Sequence, residues 1–277
     1  MKMQGLLVFL ILSAMAGCAT APGPALKSVP SDHLAEIKTF DIPMVMNDRV
    51  QDWLEFFQGR GRERFTLYLQ RSRKYIPMMR RVLREQGLPS DLVYLSMIES
   101  GFNPHAYSRA RATGAWQFIY RTGIRYGLTV NPWIDERRDP EKSTIAAAKY
   151  LKELYDRFNH WYLAAAGYNA GEGKIHRAIR RYRTEDFWEL AERKYLKRET
   201  KDYVPKLIAA ALIAKDPEKY GFTHIEYEEK ISFEEVQISS PIDLRVVARL
   251  TDTSYEEVKR LNPELLRWIT PPAASSY

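Results

Sequence analysis

Residues 90–101 read SDLVYLSMIESG, and this stretch sets the fold. Ser90 can cap a helix from its N-terminal end, and Asp91 places a negative charge in the first turn. The residues that follow are apolar on nearly every side of the helix, which is typical of a buried helix rather than an amphipathic surface one. Gly101 and Pro104 then end it. The segment therefore predicts a short helix inside a helical core.

The one carboxylate of this helix interior, Glu99, lies at its C-terminal end. Apolar surroundings disfavour the charged form of a carboxyl group and raise its pKa. The C-terminus of a helix carries about half a negative charge, which acts in the same direction. A carboxylic acid that stays protonated near neutral pH suits the general acid of glycosidic bond cleavage. A single Glu at a helix end is more often a surface residue, so the surrounding sequence has to decide.

Four further motifs follow in order along the chain. Glu99 and Ser100 precede GFNPHAYS, and GAWQF occupies residues 114–118. GYNAG occupies residues 167–171, and ETKDYV occupies residues 199–204. This series resembles the motifs of the lytic murein transglycosylases, and most closely their membrane-bound type D branch. The resemblance implies a goose-type-lysozyme-like, all-helical catalytic domain.

The resemblance also implies a substrate and a reaction. The bond is the β-1,4 linkage between N-acetylmuramic acid (MurNAc) and N-acetylglucosamine (GlcNAc) in peptidoglycan. Glu99 would protonate the leaving oxygen and then, as a carboxylate, take the proton of the muramyl 6-hydroxyl as that oxygen attacks C1. The product is a 1,6-anhydro ring, and no water is consumed. Intramolecular attack is favoured because the reacting groups are already held together, which explains why a second carboxylate is not needed.

Family resemblance assigns supporting roles to polar residues of the later motifs. Gln117, Tyr168 and Asn169 are expected beside the cleaved bond, where they would bind acetamido or hydroxyl groups. Ser108 is expected to form a hydrogen bond near Glu99 or to the sugar.

Two more groups complete the expected site. Tyr203 would direct its hydroxyl toward Glu99 and orient it, and Glu199 is expected to be a hydrogen-bonding partner rather than a second acid. Trp116 and Phe102 are candidates for an apolar wall against the sugar rings, with core packing as the alternative for Trp116. The scattered histidines form no metal-binding motif, so we expect neither a metal nor another cofactor.

The N-terminus predicts export. Lys2 is followed by an apolar run from Gly5 to Ala16, which is too short to span a bilayer and is typical of a signal peptide. Cys18, the only cysteine, stands where bacterial lipoproteins are acylated, so we expect a lipoprotein signal peptide over residues 1–17 and a lipid anchor on Cys18. Cleavage just after Ala16, which would leave a free thiol, is the alternative. Ala19, which is not Asp, favours the outer membrane by resemblance to Gram-negative lipoproteins.

Composition limits the partners. The chain has 277 residues and a formal net charge of +7, which suggests an anionic partner. Export argues against nucleic acid, and the family resemblance implies peptidoglycan glycan strands as the partner in the cell envelope. The sequence identifies no protein partner.

The mature chain divides into three predicted segments. Residues 18–45, rich in Pro and Ala, are predicted to be a tether, and residues 46–220 a lysozyme-like transglycosylase domain. Residues 221–277 are predicted to be a small α/β region, with short β-like runs over 225–238 and two short helices over 241–261. This region resembles a degenerate LysM module, and an appendage that only packs on the catalytic domain is the alternative.

Helical periodicity gives the expected helices of the domain. Apolar residues between 65 and 83 suggest two consecutive helices. Further helices are predicted over 115–125, 140–158, 161–168, 172–182, 185–193 and 200–215.

Three functions remain compatible with this sequence. The first is a lytic transglycosylase, which Glu99, Gln117, Tyr168 and Tyr203 together favour. The second is a catalytically idle lipoprotein that binds peptidoglycan as a scaffold. The third is a true muramidase, which would share the fold but use water.

Overall fold

A computed structural model describes residues 40–230, 233–238 and 240–272 of the chain. The predicted signal peptide, Cys18 as the expected site of lipidation, and most of the tether lie outside these residues. Within them, no helix is both long enough and apolar enough to cross a bilayer.

The described residues are mainly helical, which confirms the predicted fold class. The α-helices, in chain order, are α1 (Asp48–Gln58), α2 (Arg62–Glu85), α3 (Val93–Ser100), α4 (Tyr120–Arg125), α5 (Pro140–Phe158), α6 (Trp161–Ala170), α7 (Glu172–Tyr182), α8 (Phe187–Glu192), α9 (Arg198–Lys215), α10 (Leu244–Leu250) and α11 (Tyr255–Leu261). Short 3-10 turns occupy Ser90–Leu92 and Glu218–Tyr220.

Helix α3 is buried, as its sequence predicts. Every residue from Val93 to Ile98 is buried, and α3 packs against α2 and α9. Gly101 ends the helix in the left-handed region, with φ of 62°, and its N–H donates to the carbonyl of Met97. A Cβ at this glycine would lie 1.9 Å from the ring of Tyr68, so a larger residue would require that ring to move.

The prediction of two helices between residues 65 and 83 is wrong. Helix α2 is continuous over Arg62–Glu85 and contains Pro77. A proline inside a helix costs about 3 kcal/mol. Burial of Phe65 and Leu69 before it and of Met79 and Leu83 after it offsets that cost, because both halves face the same core.

The helix predicted over 115–125 starts later than expected, at Tyr120. Residues 113–118 instead form a tight loop in which the backbones of Thr113 and Phe118 exchange hydrogen bonds. Gln117 has a φ of 51°, which a right-handed helix cannot accommodate. The loop presents the Ala115 carbonyl to Ser96 and Ser100 at the end of α3.

The described part of 225–238 is irregular where short β-runs were expected, whereas the two helices predicted over 241–261 are present as α10 and α11. The described part of 225–238 contains no strand, because no second strand lies alongside to supply the ladder hydrogen bonds. Its backbone instead contacts α2, where the N–H of Glu228 donates to the carbonyl of Gln70. The pairings that involve this region are isolated bridges, Ile134 with Leu265 and Asp243 with Ile269.

Helices α10 and α11 form a small apolar cluster of their own. Leu244, Ala248, Val258 and Leu265 are buried together with Ile134, which belongs to the segment between α4 and α5. Two backbone hydrogen bonds join the same segments, from Asp135 to Glu264 and from Leu266 to Trp133. The appendage is therefore packed onto the helical domain.

Candidate active site

Glu99 and Tyr203 meet at the junction of α3 and α9. The hydroxyl of Tyr203 donates a hydrogen bond of 2.6 Å to Oε1 of Glu99. Tyr203 is buried, and Glu99 is the first residue of α3 that is not fully buried. The carboxyl group is therefore fixed by one strong donor while its residue stays partly accessible.

Burial raises the pKa of Glu99 to about 7. The hydrogen bond from Tyr203 and the charge of Lys206 oppose this rise, whereas the negative charge of Glu199 adds to it. A carboxyl group with this pKa can both release and accept a proton near neutral pH. The sequence predicts the direction of this shift from the apolar surroundings of the helix end.

Lys206 lies one turn after Tyr203 on α9. Its ammonium group donates a hydrogen bond of 2.9 Å to the carbonyl of Ile98, the residue before Glu99. The same ammonium lies 5.6 Å from the ring centroid of Trp53. Sequence reasoning missed this residue, although its spacing of one helical turn from Tyr203 places the two side chains on one face.

Two serines connect α3 to the loop that follows it. The hydroxyls of Ser96 and Ser100 both donate to the carbonyl of Ala115, over 3.0 Å and 2.8 Å. The Ser100 oxygen also accepts from the N–H of Asn103. The carbonyl of Ala115 therefore links the last turn of α3, which carries Glu99, to the 113–118 loop.

Tyr168, on α6, reaches the same loop. Its hydroxyl donates a hydrogen bond of 2.8 Å to the carbonyl of Trp116. Burial raises the pKa of Tyr168 well above its usual value, and the nearby charge of Glu99 adds to the rise. The phenol therefore stays protonated beside the carboxyl group.

Gln117 is held inside its own loop. Its Nε2 donates to the carbonyl of Gly114 over 2.8 Å and to that of Ala106 over 3.3 Å. Because both amide hydrogens bind backbone oxygen, the amide carbonyl is the end of the side chain with capacity for another partner.

Ser108 lies in the preceding part of this loop. Its hydroxyl accepts a hydrogen bond of 3.1 Å from the N–H of Ala112, and its own N–H donates to the Ala112 carbonyl. The structure records no bond from Ser108 to Glu99 among the residues it describes.

Asn169 and Glu199 form a second polar group between α6 and α9. Asn169 Nδ2 donates to Glu199 over 3.4 Å, and its Oδ1 accepts from the hydroxyl of Thr200 over 2.9 Å. Glu199 is exposed, in contrast to the environment of Glu99.

The expected aromatic wall is not present. Trp116 and Phe102 both have an exposure of 0%, so neither ring offers a face to a ligand. The indole N–H of Trp116 donates to the hydroxyl of Thr144 over 2.8 Å, which anchors the loop to α5. The alternative of core packing is what the structure shows for Trp116, and it holds for Phe102 as well.

Arg137 is a second residue that sequence reasoning missed. Its buried guanidinium donates to the carbonyls of Arg111 and Phe118, each over 3.1 Å, and forms a double hydrogen bond with Asp135. Arg137 therefore binds the backbone at both ends of the 111–118 segment. An arginine among many surface arginines carries no local signal of this role.

The described residues contain no group of three or more His, Cys, Asp or Glu side chains placed to hold a metal ion. The groups that the structure gathers around the acid are the carboxyl of Glu99, the phenols of Tyr168 and Tyr203, the ammonium of Lys206 and the amides of Gln117 and Asn169.

Sequence comparisons show that the chain belongs to the membrane-bound lytic murein transglycosylases of type D. Residues 78–191 match the transglycosylase SLT domain, and residues 232–277 match the LysM-like domain of lytic transglycosylase MltD. The chain is 36% identical over 197 residues to membrane-bound lytic murein transglycosylase D of Escherichia coli K12, which covers 69% of this chain and 43% of that protein. It is 27% identical over 164 residues to membrane-bound lytic murein transglycosylase C of Haemophilus ducreyi, which covers 54% of this chain and 43% of that protein.

The chain spans less than half the length of these curated relatives. A solved structure, the 70 kDa soluble lytic transglycosylase of Escherichia coli, aligns with a TM-score of 0.46 at 22% identity, over 55% of this chain and 26% of that one. The resemblance to type D lytic transglycosylases that the motifs indicate is confirmed by the sequence comparisons.

Proposed function

For a chain that carries a transglycosylase SLT domain, we propose the activity of a lytic transglycosylase that cleaves the MurNAc–GlcNAc β-1,4 bond of peptidoglycan. The observation that carries this proposal is the geometry of Glu99. Its carboxyl group is buried, has a pKa raised to about 7, and accepts a 2.6 Å hydrogen bond from Tyr203.

Glu99 performs two proton transfers in this reaction. It first gives its proton to the glycosidic oxygen, and the bond between that oxygen and C1 of MurNAc breaks, which releases the 4-hydroxyl of GlcNAc. The resulting carboxylate then takes the proton of the MurNAc 6-hydroxyl, whose oxygen bonds to C1. The carboxyl group is restored, and a 1,6-anhydro end is formed without water.

A pKa near the working pH suits both steps, because an acid that is too weak fails to release the proton and one that is too strong fails to retrieve it. Tyr203 stabilises the carboxylate between the two steps. Gln117, Tyr168 and Asn169 are assigned to the sugar substituents beside the cleaved bond, and Ser108 to the shape of the loop that carries Gln117.

The muramidase alternative needs a second group to activate water. Glu199 is the other carboxylate that acts on Glu99, but it is exposed and bonded to Asn169. This environment supports a role in orienting Asn169. The scaffold alternative is disfavoured by the intact series of Glu99, Gln117, Tyr168 and Tyr203, which glycan binding alone does not require.

Lipid anchoring of Cys18 and residence at the outer membrane, facing the periplasm, belong to the same proposal. The two similar proteins are named membrane-bound, and the N-terminal sequence has the pattern of a lipoprotein signal. We assign residues 1–17 to the signal peptide, 18–45 to the tether, 46–220 to the catalytic domain and 221–277 to the LysM-like region.

Mass spectrometry of the products tests the reaction. Purified protein without residues 1–18 is incubated with isolated sacculi, and the released muropeptides are weighed before and after borohydride reduction. Anhydro-muropeptides, one water lighter than lysozyme products and resistant to reduction, are expected. Reducible muramyl ends would establish the muramidase, and binding without release of any muropeptide would establish the scaffold.

A further inference from the structure

Lys206 bonds to the residue before Glu99, and its positive charge acts on the Glu99 carboxyl group. Its ammonium donates 2.9 Å to the carbonyl of Ile98, one of the last carbonyls of α3. The helix ends at Gly101, whose N–H donates to the carbonyl of Met97. The carbonyl of Ile98 therefore lacks a helical N–H donor, and the ammonium of Lys206 donates to it instead. We propose that Lys206 is a positioning residue, which anchors the end of α3 and favours the carboxylate form of Glu99 through the charge of its ammonium group.

Two electrostatic effects support this role, which rests on the proposed function. The C-terminus of a helix carries about half a negative charge, and this charge opposes ionisation of Glu99. An ammonium bonded to a carbonyl of the last turn offsets it. The ammonium also acts on the carboxylate itself, since the charge of Lys206 lowers the pKa of Glu99 and that of Glu99 raises the pKa of Lys206.

Lys206 is held in an environment that makes its charge effective. Its side chain is partly buried, its ammonium lies over Trp53, and burial lowers the pKa of the group. Charges separated from water interact more strongly than charges on the surface. A hydrogen bond to the carbonyl of Ile98 would not by itself require a charge that acts on Glu99, whereas Lys206 supplies both.

The other charged and titratable groups around the acid come from three helices. Tyr203 and Glu199 lie on α9 with Lys206, Tyr168 lies on α6, and Arg64 on α2 opposes the charge of Lys206. Glu199 raises the pKa of Glu99, and the two phenols, whose pKa values are raised above the ordinary value of 10, carry no charge near pH 7. Lys206 is the cation that opposes the rise in the pKa of Glu99.

The chemical consequence concerns the transition state. As Glu99 gives its proton to the leaving oxygen, negative charge develops on the carboxyl group. A fixed cation nearby stabilises that charge without reorganisation, and removal of one such group commonly costs at least tenfold in kcat. Lys206 also prevents the pKa of Glu99 from rising so high that the proton is retained.

Direct titration tests the proposal without relying on activity. The protein is labelled with ¹³C at the glutamate carboxyl carbons, and the Glu99 signal is assigned by its absence in Glu99→Gln. Lys206→Gln, which loses the charge but keeps a donor, is expected to raise the pKa of Glu99 by about one unit. Lys206→Arg is expected to stay within a few tenths of wild type.

Lys74→Gln is the matched control. Lys74 is also a partly buried lysine over an aromatic ring, 5.3 Å from the centroid of Tyr75, but it pairs with Glu228 and does not act on Glu99. Its removal is expected to leave the titration of Glu99 unchanged. An unchanged Glu99 titration in Lys206→Gln would overturn the proposal.

A reciprocal measurement covers the case in which Lys206→Gln does not fold. Coupling between two groups acts equally on both, so Glu99→Gln is expected to lower the pKa of Lys206 in a protein labelled at its lysine ε-carbons. An unmoved Lys206 signal contradicts the proposal.

In active protein, the alkaline limb of kcat/KM on peptide-free glycan strands is expected to move to higher pH in Lys206→Gln. If wild type forms no anhydro ends, the proposed function fails, while the titrations still decide the role of Lys206.

Discussion

Gly114 lies against the backbone of Arg137 so closely that a Cβ on the glycine would stand 1.7 Å from the Arg137 carbonyl oxygen. Gly114 has a φ of 84° and begins the loop that carries Gln117. The absence of a side chain at this position is therefore what allows the loop to rest on the segment between α4 and α5. The contact is between two backbones, so no side-chain rotation can relieve it.

Gly114→Ala is therefore expected to be strongly destabilising. The substitution combines a positive φ with a backbone clash, and we expect a loss of about 3 kcal/mol or more in the free energy of unfolding. Gly127→Ala is the control, because Gly127 has a φ of 93° but no atom within 4 Å of its missing Cβ. It is expected to lose only about 1 kcal/mol. Urea unfolding measures both, and equal losses would show that the clash is relieved.

Arg137→Met tests the support behind the loop. The change removes the hydrogen bonds to Arg111 and Phe118 and leaves the buried carboxylate of Asp135 without its 2.8 Å partner. Loss of one member of a buried ion pair costs about 3–5 kcal/mol. Arg125→Met is the control, since the pair of Arg125 with Glu153 is about half exposed and such pairs contribute about 1 kcal/mol or less. Thermal melting and turnover compare the two, and a similar small loss would contradict the structural role.

Tyr203→Phe removes only the hydroxyl that binds Glu99. We expect kcat to fall about 10–100-fold, because the carboxylate formed during the reaction loses its donor, while the fold is retained. The Tyr162→Phe variant removes a buried hydroxyl bonded to the carbonyl of Pro43 instead, and is expected to keep activity close to wild type. Release of muropeptides from sacculi measures both variants. Full activity in Tyr203→Phe would remove Tyr203 from the site.

Glu99→Gln is expected to abolish turnover and preserve binding. Gln keeps the shape of the side chain but cannot transfer a proton, and general acid–base help is worth about 10²–10⁴-fold, with both transfers depending on this one group. Pelleting with sacculi measures binding, and release of muropeptides measures turnover. Activity within about tenfold of wild type would exclude Glu99 as the acid.

The same variant has a predicted effect on stability with a definite sign. The pKa of Glu99 is raised from an ordinary value of 4.5 to about 7 in the folded protein. The folded state therefore binds the proton more tightly than the unfolded state does, and the stability that this supplies is complete below pH 4.5 and lost as pH rises to about 7. Between these two pH values, the free energy of unfolding of Glu99→Gln relative to that of wild type should therefore rise by up to roughly 3 kcal/mol. Paired melting curves at both ends of the interval measure the gain.

Cys18→Ser tests the proposed anchor. Acylation requires the thiol, so the variant is expected to lose incorporation of labelled palmitate and retention in the membrane fraction. Replacement of Ser13 by Ala, a change within the apolar run of the signal peptide, is the control and is expected to keep both. Membrane retention of an unlabelled, processed Cys18→Ser protein would show that another surface holds it there.

The sequence by itself determined the helical class, the buried helix around Glu99 and the partnership with Tyr203. These depend on local periodicity, on helix-ending residues and on ordered motifs, all of which can be read along the chain. Helices α5 and α7 begin and end where the periodicity predicts, at Pro140–Phe158 and Glu172–Tyr182.

Only the tertiary structure decided what surrounds the acid. The bond from Lys206 joins residues 108 positions apart, and that from Arg137 to Phe118 joins a loop to a segment beyond α4. The left-handed backbone of Gln117 replaces a predicted helical turn, because the loop must bring its carbonyls to Ser96, Ser100 and Tyr168. Periodicity reports which face of one helix is apolar, whereas the partner of a buried charge or carbonyl depends on how helices pack against each other.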